Sequence, residues 1–302
     1  RLFVAAAGNS GDFDPYHLHT EVTDTSLTWF QVNPFSAFGI PTVFFEVWAD
    51  TANLNNVNFS IGADKVSPTH SFRGRGQFIN AGSAPLSALI FDTIRNTNAD
   101  ILGTIMYWIE PRDGQYLLQA YMPEPDSAQY HFRFETAGTG SFDVWTTSTF
   151  GTSDMENRAD TIVGFTEINK YVYPDTLQTI VSSFQCSPNI ITVGNYANDS
   201  GYVNNLGGWT PAPGEIRGKL AASSSKGPTR IGLIKPELAA SGAVTNSAFP
   251  LTGIDYFVTN GLDSLLAIGG MHYRNGGTSM SSPVVAGVAA LFLEQCPQAG
   301  SS

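Results

Sequence analysis

Ser279 stands in the part of the sequence richest in chemical possibility. It lies in Gly277-Thr278-Ser279-Met280-Ser281-Ser282-Pro283, at the head of an apolar run that reaches Gln295. Gly276-Gly277 gives a flexible lead-in, and Pro283 falls near a first turn, where a missing N–H costs least. The spacing predicts a helix over Thr278 to Gln295. A serine at a helix N-terminus presents its hydroxyl at the surface. Its own N–H and the positive end of the helix then face any negative charge developing on an attacked carbonyl. That is nucleophilic acyl-transfer chemistry. The bland alternative is that Thr278 or Ser279 only caps the helix.

A serine hydroxyl needs a positioned base. The histidines are His17, His19, His70, His131 and His272. His272, shortly before Ser279, reads as a loop residue, because a base so near in sequence needs a special turn to aim it back. His17 and His19, two apart, pair as metal ligands only if Asp12 or Asp14 supplies a third. They read instead as solvated loop residues, and no metal site is expected. Asp199-Ser200-Gly201 reads as a local turn.

Over Gly277 to Gly287 the sequence resembles the nucleophile motif of the subtilases, the peptidase S8 family. Ala5-Ala6-Ala7-Gly8-Asn9-Ser10-Gly11 resembles that family's oxyanion segment. Three further blocks resemble it as well: Ile190 to Gly194, Ser223 to Thr229 and Ile234 to Gly242. Two residues depart from the pattern, Asn195 where Ala is usual and Ser241 where Pro is usual, and both read as matters of loop shape. The resemblance implies Ser279 as nucleophile and half of the oxyanion hole, and Asn9 as its side-chain donor. It also implies that Ala6, Ala7 and Gly8 line a wall of the pocket for the residue before the scissile bond.

That family's acid and base precede the Asn in chain order, Asp then His then Ser. Only eight residues precede Asn9, and none of the five histidines stands in an H-G-T-H setting. The chain therefore reads as a fragment of a serine endopeptidase, inert alone, with Asp and His expected upstream and the N-terminal part of its own catalytic domain as a partner. The alternative is a pseudoprotease or scaffold whose β domain binds a protein or glycan. An α/β-hydrolase would need G-x-S-x-G, and Ser281 stands where the last Gly belongs.

From about Ser26 to Thr147 the texture is all-β. Leu27 to Val32, Val43 to Trp48, Val57 to Ile61, Leu86 to Phe91, Ile101 to Ile109, Tyr116 to Tyr121, Tyr130 to Phe134 and Phe142 to Trp145 read as strands. Turns at Arg112-Asp113-Gly114 and Ala137-Gly138-Thr139-Gly140 fit hairpins, and Trp29, Trp48, Trp108 and Trp145 suit a sandwich core. Beyond Tyr173 the apolar runs Asn189 to Gly194 and Ile234 to Ala240 suggest parallel strands covered on both faces. The last helix is apolar on every side and is expected to be buried.

The predicted fold is α/β. It combines an incomplete subtilisin-like parallel sheet with flanking helices, over residues 1–15 and 174–302, and an inserted all-β sandwich or jelly roll over 16–173. The chain of 302 residues is 42% hydrophobic and 14% charged, enough to bury a large core. Its net charge of −11 comes from scarce Lys and Arg and offers no patch to nucleic acid. No run approaches the roughly 20 apolar residues of a membrane span. Low Lys and abundant Asn, Ser and Thr suit a secreted or cell-surface protein with protein or peptide as substrate. Cys186 and Cys296 are candidates for one disulfide. No cofactor is called for, and structural calcium is left open.

Overall fold

The computed structural model describes residues 2–12, 17–33, 41–123, 130–146, 153–175, 179–182 and 185–299. Asp14, Pro15 and Tyr16, weighed above as a ligand and a boundary, lie outside the described residues. In chain order the first strands are β1 Phe3–Ala6, β2 His17–Val22, β3 Thr25–Val32, β4 Val43–Asp50, β5 Val57–Lys65, β6 Ser71–Arg75 and β7 Ile79–Asn80. There follow β8 Leu89–Arg95, β9 Ile101–Arg112, β10 Gln115–Met122, β11 Tyr130–Gly138, β12 Gly140–Trp145 and β13 Ser153–Met155. The last are β14 Ile190–Tyr196, β15 Gly201–Val203, β16 Trp209–Pro211, β17 Leu238–Ser241, β18 Thr245–Ala248 and β19 His272–Asn275. The helices are α1 Thr51–Leu54, α2 Leu251–Thr259 and α3 Thr278–Gln295. The chain divides into two units, Phe13–Gln178 and the discontinuous Arg1–Asp12 with Thr179–Ser302.

The unit Phe13–Gln178 is one curled antiparallel sheet of twelve strands, in the order β13-β3-β11-β5-β6-β8-β9-β10-β4-β12-β2, with β7 beside β5. Alternation builds it. In β4, Val43, Phe45, Val47 and Ala49 face inward, and in β10 Tyr116, Leu118, Ala120 and Met122 do. With Phe30, Phe59, Ile61, Ile105, Phe132 and Phe142 they form one dry core. Each large side chain buried there contributes about 1.5–3 kcal/mol.

In this unit one turn expectation holds and two others change. Asp113 (φ 48°) and Gly114 (φ 80°) do close a two-residue hairpin between β9 and β10. Ala137 to Gly140, however, is no hairpin, because β11 pairs with β3 and β5 whereas β12 pairs with β2 and β4. The corner carries the chain from beside β3 and β5 to between β2 and β4, and a Cβ on Gly138 would meet Asn56 O at 2.1 Å. The tryptophans are also outside the central core. Trp29 is fully buried on one outer face, where residues 156–172 cover it with Phe165 and Tyr171. Trp48, Trp108 and Trp145 are half-buried on the opposite outer face.

A buried polar network fastens the covered face. Asp64 accepts from Trp29 Nε1 (2.6 Å), Arg133 Nε (2.7 Å) and His70 Nε2 (3.1 Å). Arg133 also reaches Glu167 at 2.7 Å. Burial opposes the Arg133 charge, but Asp64 and Glu167 more than offset it, so its pKa is raised. His17 and His19 belong to β2 and are not loop residues; both donate to Asp143 Oδ1, at 3.2 and 2.9 Å. Among the described residues no group of three or more His, Cys, Asp or Glu is arranged to hold a metal ion.

In the other unit, β1, β14 and β17 make a three-stranded parallel sheet, with Phe3 opposite Ile190 and Val193 opposite Leu238. Antiparallel pairs β15-β16 and β18-β19 stand apart from it. α3 packs on all three parallel strands. The strand expected at Ile234 to Ala240 begins only at Leu238, and Ile234 is 83% exposed. α3 is not buried: Val284, Val288, Leu291 and Phe292 are 46–65% exposed, because no described element lies on their side. The sheet, too, is not covered on both faces, since Phe3 is 60% exposed. Cys186 and Cys296 are both exposed free thiols, so the bridge does not form. No helix among the described residues is long and apolar enough to cross a membrane.

Candidate active site

β1 runs out of the parallel sheet at Ala7, whose N–H still donates to Val193 O at 3.0 Å. Gly8 then turns the chain with φ 109°. Its N–H donates to Thr278 Oγ1 (3.1 Å) and its carbonyl accepts from Ser225 N–H (2.9 Å). Ser10 N–H donates to Ser225 Oγ at 3.1 Å, and Gly11 N–H to Ser223 O at 2.9 Å. The Ala5–Gly11 segment is thus pinned between the Ser223–Ser225 stretch and the head of α3.

Asn9 and the head of α3 meet across 269 residues of sequence. Asn9 Oδ1 accepts from Thr278 N–H (2.8 Å) and from the Thr278 hydroxyl (3.1 Å). Thr278 is completely buried, while Asn9 and Ser279 are exposed. The first backbone donor of a helix has no partner inside the helix, and here a remote side chain satisfies it. Gly277, at the N-cap position, has no side chain to do so, and φ 121° favours glycine there. The capping alternative for Ser279 fails, since the cap is Asn9. With Oδ1 committed to the helix, no partner among the described residues takes the Nδ2 protons of Asn9. The amide end stands beside Gly277, with Nδ2 3.0 Å from where a Cβ would be.

Below this head lies a buried tie that sequence reasoning missed. Asn195 is not a loop residue but sits within β14, 1% exposed. Its Oδ1 accepts from Ser281 Oγ (3.3 Å), which also lies within 3.0 Å of Ala240 O, and its N–H donates to Ser224 Oγ (3.0 Å). A Cβ on Gly242 would fall 2.2 Å from Ser281 Oγ and 2.7 Å from Asn195 Oδ1. The departure from Ala at position 195 was the available signal, because a buried amide calls for partners; its oxygen finds Ser281, while its Nδ2 has none among the described residues. Ser241 ends β17 opposite Tyr196.

Ala6 and Ala7 are occupied through their carbonyls. Gln185 Nε2 donates to Ala6 O, and Ser182 N–H donates to Ala7 O at 3.0 Å. Among the described residues no histidine or carboxylate is hydrogen-bonded to the Ser279 hydroxyl. His272 is in β19, opposite Ala248. Asp199 accepts from Ser200 N–H at 2.8 Å, a local turn.

A model of the Subtilase family, Peptidase_S8, matches residues 151–302, half of the chain. It includes Ser279 and the Ser223–Ser225 stretch but not Asn9. The chain is 37% identical over 79 residues to the serine protease AprX of Bacillus subtilis strain 168. It is 39% identical over 82 residues to the uncharacterized protein aq_aa18 of Aquifex aeolicus strain VF5. Each alignment covers 26% of this chain, and they span only 17% and 33% of those relatives. No solved structure matches. On the strength of the matched half, which holds the whole of α3 and the strands β14 and β17 beneath it, this chain belongs to the subtilase family.

Proposed function

We propose that the chain carries the nucleophile side of a serine endopeptidase. Ser279 attacks the peptide carbonyl and forms the acyl-enzyme. The Ser279 N–H and Asn9 Nδ2 donate to the oxyanion, and the base and its orienting acid, His and Asp, come from a segment preceding these residues. The observation that carries the reading is the pair of hydrogen bonds from Thr278 to Asn9 Oδ1, which aims the remaining amide donors beside the helix start. Donors must lie about 3 Å from the oxyanion to act on it, and bonded neighbours such as Thr278 and Ser279 allow that. Ala6, Ala7 and Gly8 wall the pocket for the residue before the scissile bond. The α/β half is the subtilisin-like part, the antiparallel unit is a jelly-roll-like insertion, and the protein works outside the cell or at its surface.

The test uses the complete protein and the chain of 302 residues side by side with a fluorophosphonate probe. The complete protein is expected to be labelled at Ser279, with labelling lost in Ser279→Ala. The chain alone is expected to react at most at the rate of an ordinary serine. Normal protease labelling of the chain alone would overturn the missing-base reading, and no labelling of the complete protein would overturn the protease reading.

A further inference from the structure

The two outer faces of the antiparallel unit are built from similar residues and treated differently. On one, residues 156–172 seal Trp29 from water, and its N–H is spent on Asp64. On the other, register sets Trp108, Gln119, Glu46 and Trp145 in one row across four adjacent strands. Trp48 and Glu110 lie in the next row, both opposite Leu117. At the end of this face Leu89 and Phe91 are 56% and 66% exposed. Adjacent strands are about 4.8 Å apart, so the backbones carrying Trp108 and Trp145 are about 14 Å apart along the row. That is an extended track rather than a pocket.

The indoles are held by a repeated device. Trp48 Nε1 donates to Glu46 Oε2 (3.3 Å), and Trp108 Nε1 to Glu110 Oε2 (3.4 Å), each two residues along its own strand. Each N–H bond ties its indole to a same-face neighbour, and the rings carry further contacts: the Arg112 guanidinium lies 6.0 Å from the Trp48 ring centroid, and Trp145 packs against the His17 ring at 4.5 Å. Gln119 Nε2 donates to Glu46 Oε1 at 2.8 Å, and Arg112 to Glu110 at 3.0 Å, so the polar groups between the rings are held as well. Pre-positioned rings lose little entropy on binding, and ordered acceptors beside them select what else must be present.

We propose that this face binds a neutral oligosaccharide chain. A pyranose ring has an apolar C–H face that stacks on an indole and a rim of hydroxyls that donate to carboxylate and amide oxygens. Rings interspersed with Glu46, Gln119 and Glu110 match both features. Charge decides against the other stacking ligand, single-stranded nucleic acid. Glu46, Glu110 and Asp143 line the face, Arg112 is already bonded to Glu110, and the chain carries −11 overall. Phosphates need a positive groove. The inference is independent of Ser279 chemistry.

The test titrates the 302-residue chain with cellohexaose, xylohexaose and mannohexaose, read by tryptophan fluorescence and calorimetry. Hyaluronan fragments and a proline-rich peptide run alongside. At least one neutral hexasaccharide is expected to bind. Trp48→Ala and Trp108→Ala should each weaken binding tenfold or more, and Trp48→Phe, which keeps a ring, should weaken it less. Near-ultraviolet circular dichroism checks that each variant is folded. Failure of all three neutral sugars to bind overturns the proposal, as does undiminished binding by folded alanine variants. Binding of the peptide or the anionic sugar in their place overturns it too.

Discussion

Asn9 caps α3 and is proposed to donate to the oxyanion, and one pair of substitutions separates the two. In Asn9→Ala the N–H of Thr278, wholly buried at the head of α3, loses its acceptor, and the Thr278 hydroxyl keeps only the Gly8 N–H. Loss of a helix cap costs about 1 kcal/mol, and an orphaned buried donor about 1–3 kcal/mol. These are two views of the same bond, so the expected cost is about 1–2 kcal/mol, or roughly 3–6 °C in Tm for a unit of this size. Asn9→Asp keeps an acceptor and places a negative charge at the positive end of the helix, worth about 0.3–1 kcal/mol. Its Tm should equal or exceed that of the parent. Aspartate has no amide protons, however, so under the proposed oxyanion role both variants should lose about 10²–10³ in kcat of the complete protein. The assays are thermal unfolding of the chain and peptide hydrolysis by the complete protein. Equal destabilisation by Ala and Asp would refute the remote cap, and full kcat in Asn9→Asp would refute the oxyanion role.

Asp64→Ala should cost the antiparallel unit about 3–5 kcal/mol in urea unfolding followed by Trp29 emission, because it leaves the buried Arg133 guanidinium with Glu167 alone and removes the acceptor of Trp29 and His70; a loss under 1 kcal/mol contradicts the network. Burial pushes the Asp143 carboxyl up, but the imidazoles of His17 and His19 more than offset it, so its folded pKa lies below the unfolded value of about 3.9. Its contribution is therefore present above about pH 4 and lost as pH falls through the folded pKa. With His17, His19 and Asp175 facing the group, the stability gap between wild type and Asp143→Asn should shrink below pH 4, and a constant gap down to pH 2 would refute this. Gly277→Ala forces φ 121° on an L residue and sets its Cβ 3.0 Å from both Asn9 Nδ2 and Oδ1. It should cost about 1–3 kcal/mol in thermal unfolding and displace the Asn9 amide; an unchanged Tm would contradict the geometry.

What was legible in the sequence was local. The Gly277–Gly287 motif marked the start of α3, and two-residue alternation marked most strands of the antiparallel unit. Alternation does not say which side is inside. In β4, Val43, Phe45 and Val47 on one side and Phe44, Glu46 and Trp48 on the other both carry aromatics, and only packing assigns the first set to the core. Turn chemistry has the same limit: Gly138 and Gly140 suit a hairpin or a corner equally well, and distant pairing decides. β2 was read as a loop because His17, His19 and Glu21 dilute its apolar pattern, while the partner that fixes the two imidazoles, Asp143, lies far along the chain. α3 shows the reverse error. Apolar composition predicts burial only if something packs on every face, and the described residues supply only the sheet side.

The joint between the units follows the same logic of distant backbone bonds. Gly11, near where the chain leaves the parallel unit, donates to Ser223 O, and Ile180, just after it returns, donates to Lys226 O at 3.0 Å. Ser223 and Lys226 are three residues apart, so at most about 10 Å of backbone separates the two anchors. Ser182 N–H closes the gap further by bonding Ala7 O, in the segment that ends at Asn9. A host unit that holds both ends of an excursion this close together can carry a large one without changing its own register, since closing a longer loop costs only about 0.6 kcal/mol per doubling of length. The Phe3–Ile190 pairing and the Asn9–Thr278 bonds both lie within the unit of Arg1–Asp12 and Thr179–Ser302 that holds these anchors.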